Sequence, residues 1–183
     1  MCLNIICGSM YSGKSTELLR RYGRNKYAKR KALLFNHSLD KRYGENVVAT
    51  HLQDQEKSHS ISTVYEMLSI LHDHKEIKNV YIDEFQFFPK EFSNVIVSLV
   101  EKENYSITVA GLDLTFDNKP FKSMEKLMPY ADEILKLKAV CCECGKNASK
   151  SYRLTSSKQK VEVGSNDSYI ALCKKCYNKI YKL

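Results

Sequence analysis

Directly after the apolar run Leu3-Asn4-Ile5-Ile6-Cys7 the chain reads Gly8-Ser9-Met10-Tyr11-Ser12-Gly13-Lys14-Ser15-Thr16, a G-x-x-x-x-G-K-S/T sequence. Ordinary residue usage produces such a pattern by chance in on the order of one chain in a hundred. It narrows the fold to those in which a buried strand runs into a glycine-bounded loop and then a helix. Glycines let successive backbone N–H groups turn inward, and the helix that follows adds the positive end of its dipole, so the segment suits a polyphosphate. Gly8, Ser9, Met10, Tyr11, Ser12, Gly13, Lys14, Ser15 and Thr16 are thus candidate phosphate ligands. Lys14 is the mobile cation for the outer phosphates, and Ser15 the hydroxyl for magnesium.

The cysteines give a second constraint. Seven of them in 183 residues, with an N-terminal apolar run too short for a signal-peptide core, point to metal or catalytic use in a cytoplasmic setting rather than to a disulfide scaffold. Cys141-Cys142-Glu143-Cys144 and Cys173-Lys174-Lys175-Cys176 form two C-x-x-C pairs with 28 residues between them. Each pair places two thiolates on one side of a metal, so Cys141, Cys144, Cys173 and Cys176 are assigned to a zinc ion, with Cys2, Cys7 and Cys142 left free. A redox motif would account for one pair but not for both. A closed four-sulfur set has no open position, which makes the zinc structural.

Between these landmarks apolar strands alternate with helical periodicity. Leu3–Cys7, Ala32–Asn36, Asn79–Ile82, Ser106–Leu112 and Glu133–Leu137 read as strands. Thr16 to Lys29, Thr63 to His74, Phe92 to Lys102 and Met124 to Tyr130 read as helices, and residues 45–60 as a polar loop. The βαβ order predicts an α/β fold: a P-loop, RecA-like, mainly parallel sheet flanked by helices, with a small zinc-ribbon-like module at the C-terminus. The expected domains are 1–139, binding ATP, and 140–183, holding the zinc and the loop between the cysteine pairs. So small a module needs its metal for stability.

The strand Asn79-Val80-Tyr81-Ile82 ends in Asp83-Glu84. Beside a phosphate loop, the first acid is placed to orient magnesium and the second to accept a proton from an attacking hydroxyl. A net charge of +8 suits either nucleic acid or phosphorylated small molecules. The competing reading is accordingly a nucleic-acid-dependent P-loop ATPase with a zinc ribbon. Against it, 183 residues leave no room for a second motor domain, and the aromatic cluster after Glu84 suits a single base.

The segments Gly8 to Leu18, Asp40-Lys41-Arg42-Tyr43, Thr50-His51, Asp83 to Pro89, Gly111-Leu112-Asp113 with Phe116, Lys119-Pro120-Phe121, both cysteine pairs and Gly164 to Tyr169 follow one another in that order. In this the chain resembles the type II thymidine kinases nearly end to end. The resemblance implies ATP-dependent phosphorylation of the 5′-hydroxyl of thymidine or deoxyuridine, a nucleotide-salvage step toward DNA synthesis. Glu84 falls on the family's general base, Lys14, Ser15 and Asp83 on its phosphate and magnesium positions, and Asp40 and Arg42 on a pair beside the phosphates. Met10, Phe87, Leu112, Phe116, Phe121, Val163 and Tyr169 fall on the nucleoside pocket. Gly164, Ser165, Asn166 and Asp167 belong to the lasso that closes over it. A homotetramer, feedback inhibition by thymidine triphosphate, and no membrane or nucleic-acid partner are implied as well. Three residues depart from the family pattern: Ser165 where a second small residue is usual, Lys174 for an arginine, and Phe85, which is expected to narrow the cleft.

Overall fold

The computed structural model describes residues 1–40, 46–49, 55–154 and 168–181. The first strand, β1 (Cys2–Gly8), is buried on alternate and then on successive residues, as an interior parallel strand must be when both faces are covered. It runs through the loop into α1 (Lys14–Tyr27), which turns Leu18 and Leu19 inward. After β2 (Ala32–His37) come three short strands, β3 (Val47–Ala49), β4 (Gln55–Lys57) and β5 (His59–Ile61).

The segment expected to be loop thus contributes to the main sheet. β5 pairs in parallel with β2, His37 opposite Ile61. A three-residue strand carries no readable periodicity, and polar side chains seat this one. The hydroxyls of Ser58 and Ser60 both donate to the side-chain oxygen Oδ1 of Asn36 at 2.9 Å.

Helix α2 (Val64–Asp73) starts on a reciprocal cap: the Thr63 hydroxyl accepts from the Glu66 amide and the Glu66 carboxylate from the Thr63 amide. β6 (Asn79–Ile82) leads through a single 3-10 turn, Phe85–Phe87, to α3 (Glu91–Glu103), which stops at Asn104 in the left-handed conformation. β7 (Ser106–Leu112), α4 (Lys122–Leu127) and β8 (Glu133–Leu137) complete the larger layer.

The six-stranded sheet has the order β5-β2-β6-β7-β1-β8, and every neighbouring pair is parallel. Alternation along β1 sends Ile5 and Cys7 into a core with Met67 of α2 and Phe92 and Ile96 of α3, and Ile6 into one with Leu18 and Leu19 of α1. Because every strand runs the same way, the carboxyl ends of β1, β6 and β7 open on one edge, where α/β sheets bind ligands.

The chain then forms two antiparallel pairs, β9 (Ala139–Val140) with β10 (Asn147–Ala148) and β11 (Lys150–Arg153) with β12 (Tyr169–Leu172), followed by α5 (Lys174–Tyr181). Their shared core is small: Ala139, Cys141, Ala148, Ala171, Leu172 and Tyr177.

Phe85 is fully buried and packs its ring against Phe88 and Phe92 in the large core. It does not narrow the cleft. The 3-10 turn rotates it inward, a direction that sequence spacing near a turn does not fix.

Truncating Phe92, which is fully buried, should lower the unfolding free energy by about 3–5 kcal/mol in a denaturant titration of Phe92→Ala. Tyr65→Ala, at a position 86% exposed, should stay within about 0.5 kcal/mol of the parent.

Candidate active site

The phosphate loop leaves β1 at Gly8, with φ of 147°. A side chain there has no room, since a Cβ would lie 2.5 Å from the Leu137 carbonyl oxygen and 2.8 Å from Ser12 Oγ. Gly13, at φ of 82°, caps α1 in the left-handed conformation. Lys14 Nζ reaches back to donate to the Ser9 carbonyl at 2.8 Å, so the cation lies over the loop. Beneath it, burial and the Asp113 carboxylate push the Cys7 thiol up to about 11, which leaves it an unreactive core residue.

Asp83 and Glu84 follow directly on β6, separated from β1 by β7 alone. Asp83 is buried. Loss of water, then the neighbouring Glu84, pushes its carboxyl up to about 7, against a hydrogen bond from the Ser15 hydroxyl and the charge of Lys14. A buried carboxylate touching the hydroxyl at the head of α1 is a donor set of hard oxygens that fits magnesium.

Glu84 is half-buried and held at φ of 53°, ψ of 38°, a left-handed conformation costly for a side chain with a Cβ. Two bonds hold it there. The Glu84 amide donates to Asp83 Oδ1 at 2.9 Å, and Gln86 Nε2 donates to the Glu84 carboxylate. Gln86 Oε1 in turn accepts from the Leu112 amide at 2.9 Å, tying the acid to the end of β7. Gly111 makes this possible, because a Cβ on it would lie 2.8 Å from Gln86 Oε1. Gln86 was not anticipated from the sequence; one amide among Phe85, Phe87 and Phe88 was the available signal.

At the end of β2, His37 packs edge-on against Phe88 with ring centroids 4.5 Å apart and lies 5.9 Å from Phe87. Burial pushes its imidazole below the ordinary value, and Nδ1 accepts from the Leu39 amide at 3.1 Å. Asp40 follows just beyond, its amide bonded to the His37 carbonyl.

The C-terminal module reaches into the same edge. The Met10 amide donates to Ser151 Oγ at 3.0 Å, and Tyr11 Oη donates to the Tyr169 carbonyl at 3.1 Å. Phe116 accepts a 2.6 Å bond at its carbonyl from Tyr177 Oη. Its ring lies under the guanidinium of Arg153, 4.0 Å from centroid to Cζ, and Arg153 Nε donates to Tyr169 Oη at 2.9 Å. Phe121, half-buried, packs one side against the large core. Ser151 and Arg153 also went unread in the sequence, although both fall on one face of a strand whose burial alternates. Arg42, Val163, Gly164, Ser165, Asn166 and Asp167 lie outside the described residues.

The four paired cysteines converge. Their sulfur atoms all lie within 4.8 Å of one another, and Cys144 and Cys173 are 3.7 Å apart. Four thiolates at about 2.3 Å around a tetrahedral zinc would be about 3.8 Å apart. Cys141 and Cys144 sit in the turn between β9 and β10, Gly145 at φ of 69° closing it. Cys173 precedes α5 and Cys176 stands in its first turn, so the second pair is a helix start rather than a free turn. Backbone N–H groups, that of Cys173 foremost, pull the Cys141 thiol down to about 6, toward the thiolate a metal requires. The group can hold a metal ion, and its chemistry is that of zinc.

The sequence profile of the thymidine kinase family matches residues 1–177. A thymidine kinase of Pseudothermotoga lettingae is 36% identical over 179 residues, covering 97% of this chain and 95% of that relative.

Gly111→Ala should drive Gln86 from its place and lower the unfolding free energy by about 1–3 kcal/mol. Gly23→Ala, where an added Cβ meets nothing within 4 Å on α1, should instead gain up to about 1 kcal/mol. Thermal unfolding of the two variants checks both signs.

Proposed function

The chain belongs to the thymidine kinase family and is a thymidine kinase, and we propose how its residues carry the γ-phosphoryl group of ATP to the 5′-hydroxyl of thymidine or deoxyuridine. The observation that supports this reading best is Glu84, strained and doubly hydrogen-bonded, at the same sheet edge as the phosphate loop.

ATP lies with its phosphates on the loop from Gly8 to Thr16, beside Asp40 and Arg42. The Met10 amide is committed to Ser151, so the amides around Gly13 and Lys14, at the positive end of α1, face the β- and γ-phosphates. Lys14 swings from the Ser9 carbonyl to the phosphate oxygens and neutralises charge that develops as the bond to the leaving oxygen loosens. Ser15 and Asp83 would hold magnesium, which when bound supplies further charge neutralisation at the phosphates.

The nucleoside binds between Met10, Phe87, Leu112, Phe116, Phe121, Val163 and Tyr169, with Gly164, Ser165, Asn166 and Asp167 closing over the base. Its 5′-oxygen bonds to the γ-phosphorus as the oxygen bridging the β- and γ-phosphates departs, and Glu84 accepts the hydroxyl proton. Gln86 keeps that carboxylate fixed, so little reorganisation is needed at the moment of transfer. Closure over the nucleoside keeps water from accepting the phosphoryl group.

Zinc on Cys141, Cys144, Cys173 and Cys176 is structural, since four thiolates leave no position for substrate. The small separate core of Ala139, Cys141, Ala148, Ala171, Leu172 and Tyr177 supports a division close to 139/140. Family membership also supports a homotetramer, inhibition by thymidine triphosphate, a cytoplasmic setting and a reaction that needs no nucleic acid. Among the described residues no helix is long and apolar enough to cross a membrane.

Glu84→Gln should lower kcat by roughly 10²–10⁴-fold while thymidine and ATP still bind, read by steady-state kinetics beside calorimetric titration. Unchanged turnover would remove Glu84 from the role of base, and ATP hydrolysis stimulated by added DNA would favour a nucleic-acid-dependent ATPase.

A further inference from the structure

Arg153 is 5% exposed. Burying a guanidinium is costly unless its N–H groups and its faces are all used. Here the plane lies on the ring of Phe116, with Cζ 4.0 Å from the centroid, and Nε and one terminal nitrogen both donate to Tyr169 Oη. β11 and β12 pair Arg153 directly with Tyr169, and the next backbone bond, Leu154 N–H to the Ser168 carbonyl at 2.9 Å, is the last described before residues 155–167. Arg153 therefore stands at the root of the segment joining the two strands, in contact with one aromatic side chain from that root and one from the loop after β7.

Those two aromatics come from elements more than fifty positions apart in sequence, and Arg153 touches both. Arg153 is what relates them. Its planar fork fixes the direction of the Tyr169 hydroxyl and, by stacking, the height of the Phe116 ring.

We propose that Arg153 is a positioning residue for the nucleoside, acting by holding Phe116 and Tyr169 as the two walls of its pocket. This rests on the proposed pocket, of which both aromatics are part. A lysine could keep the charge but neither the stack nor the two-pronged donation. The phosphate loop meets these strands at Ser151 Oγ and at the Tyr169 backbone carbonyl, not at the Tyr169 hydroxyl that the arginine holds, so the arginine bears on the nucleoside and not on ATP.

The test is steady-state kinetics of Arg153→Lys and Arg153→Met with thymidine and ATP varied separately, alongside Tyr169→Phe and Phe116→Ala, with zinc content and Tm recorded for each variant. Arg153→Met is expected to raise the thymidine KM about tenfold or more, with kcat within about threefold and the ATP KM unchanged, while zinc stays bound. Arg153→Lys should show the same split to a smaller degree. Adding Tyr169→Phe to Arg153→Met should raise KM little further, because both changes remove one contact. A thymidine KM unchanged in a folded, zinc-loaded Arg153 variant overturns the proposal. If Arg153→Met does not fold, Arg153→Lys decides on the same readout, and failure of both to fold overturns the proposal in favour of a purely structural role. Should Tyr169→Phe and Phe116→Ala leave the thymidine KM unmoved, the pocket assignment itself fails, whatever the arginine variants do.

Discussion

The phosphate loop is clamped from two sides, and the rest of the site takes its position from that clamp. On the sheet side the chain passes so close to β8 that Gly8 can carry no side chain without striking the Leu137 carbonyl. On the other side the Met10 amide and the Tyr11 hydroxyl are bonded to Ser151 and Tyr169 of the C-terminal module. The first contact needs a glycine and a parallel neighbour strand. The second needs β11 and β12 to be held in place, which the small core described for them, of mostly small side chains, does weakly without a metal on the four cysteines.

A uniformly parallel sheet supplies the remaining geometry. It delivers the loop after β1, the two acids after β6 and the Leu112 amide after β7 to one edge. Hydrogen bonds then do what strand ends alone cannot. Gln86 spans from Glu84 to Leu112, so the backbone strain at Glu84 is stored in a position that two neighbouring elements fix.

Local patterns were legible in the sequence and long-range ones were not. The glycine-lysine loop, the acids ending β6 and the paired cysteines each declare themselves within a few residues, because their chemistry requires fixed spacing. β5 escaped notice since its pairing with β2 rests on serine hydroxyls meeting Asn36 rather than on an apolar pattern. Phe85, expected in the cleft, lies in the core, a side decided by the turn it starts. Gln86, Ser151 and Arg153 act through partners 26, 141 and 16 positions away. Nothing in their immediate neighbours marks them. The lasso residues Val163 to Asp167 lie outside the described residues, and their role rests on the family.

A metal on the four cysteines would steady the C-terminal module and, through the bonds to Met10 and Tyr11, hold the phosphate loop in place. Amide hydrogen exchange of the segment from Gly8 to Tyr11, compared between zinc-loaded protein and protein stripped by a chelator, measures this directly. Faster exchange at Met10 on zinc removal, with protection of β6 and β7 retained, is the predicted result. Unchanged protection at Met10 in protein shown to have lost its zinc would contradict it.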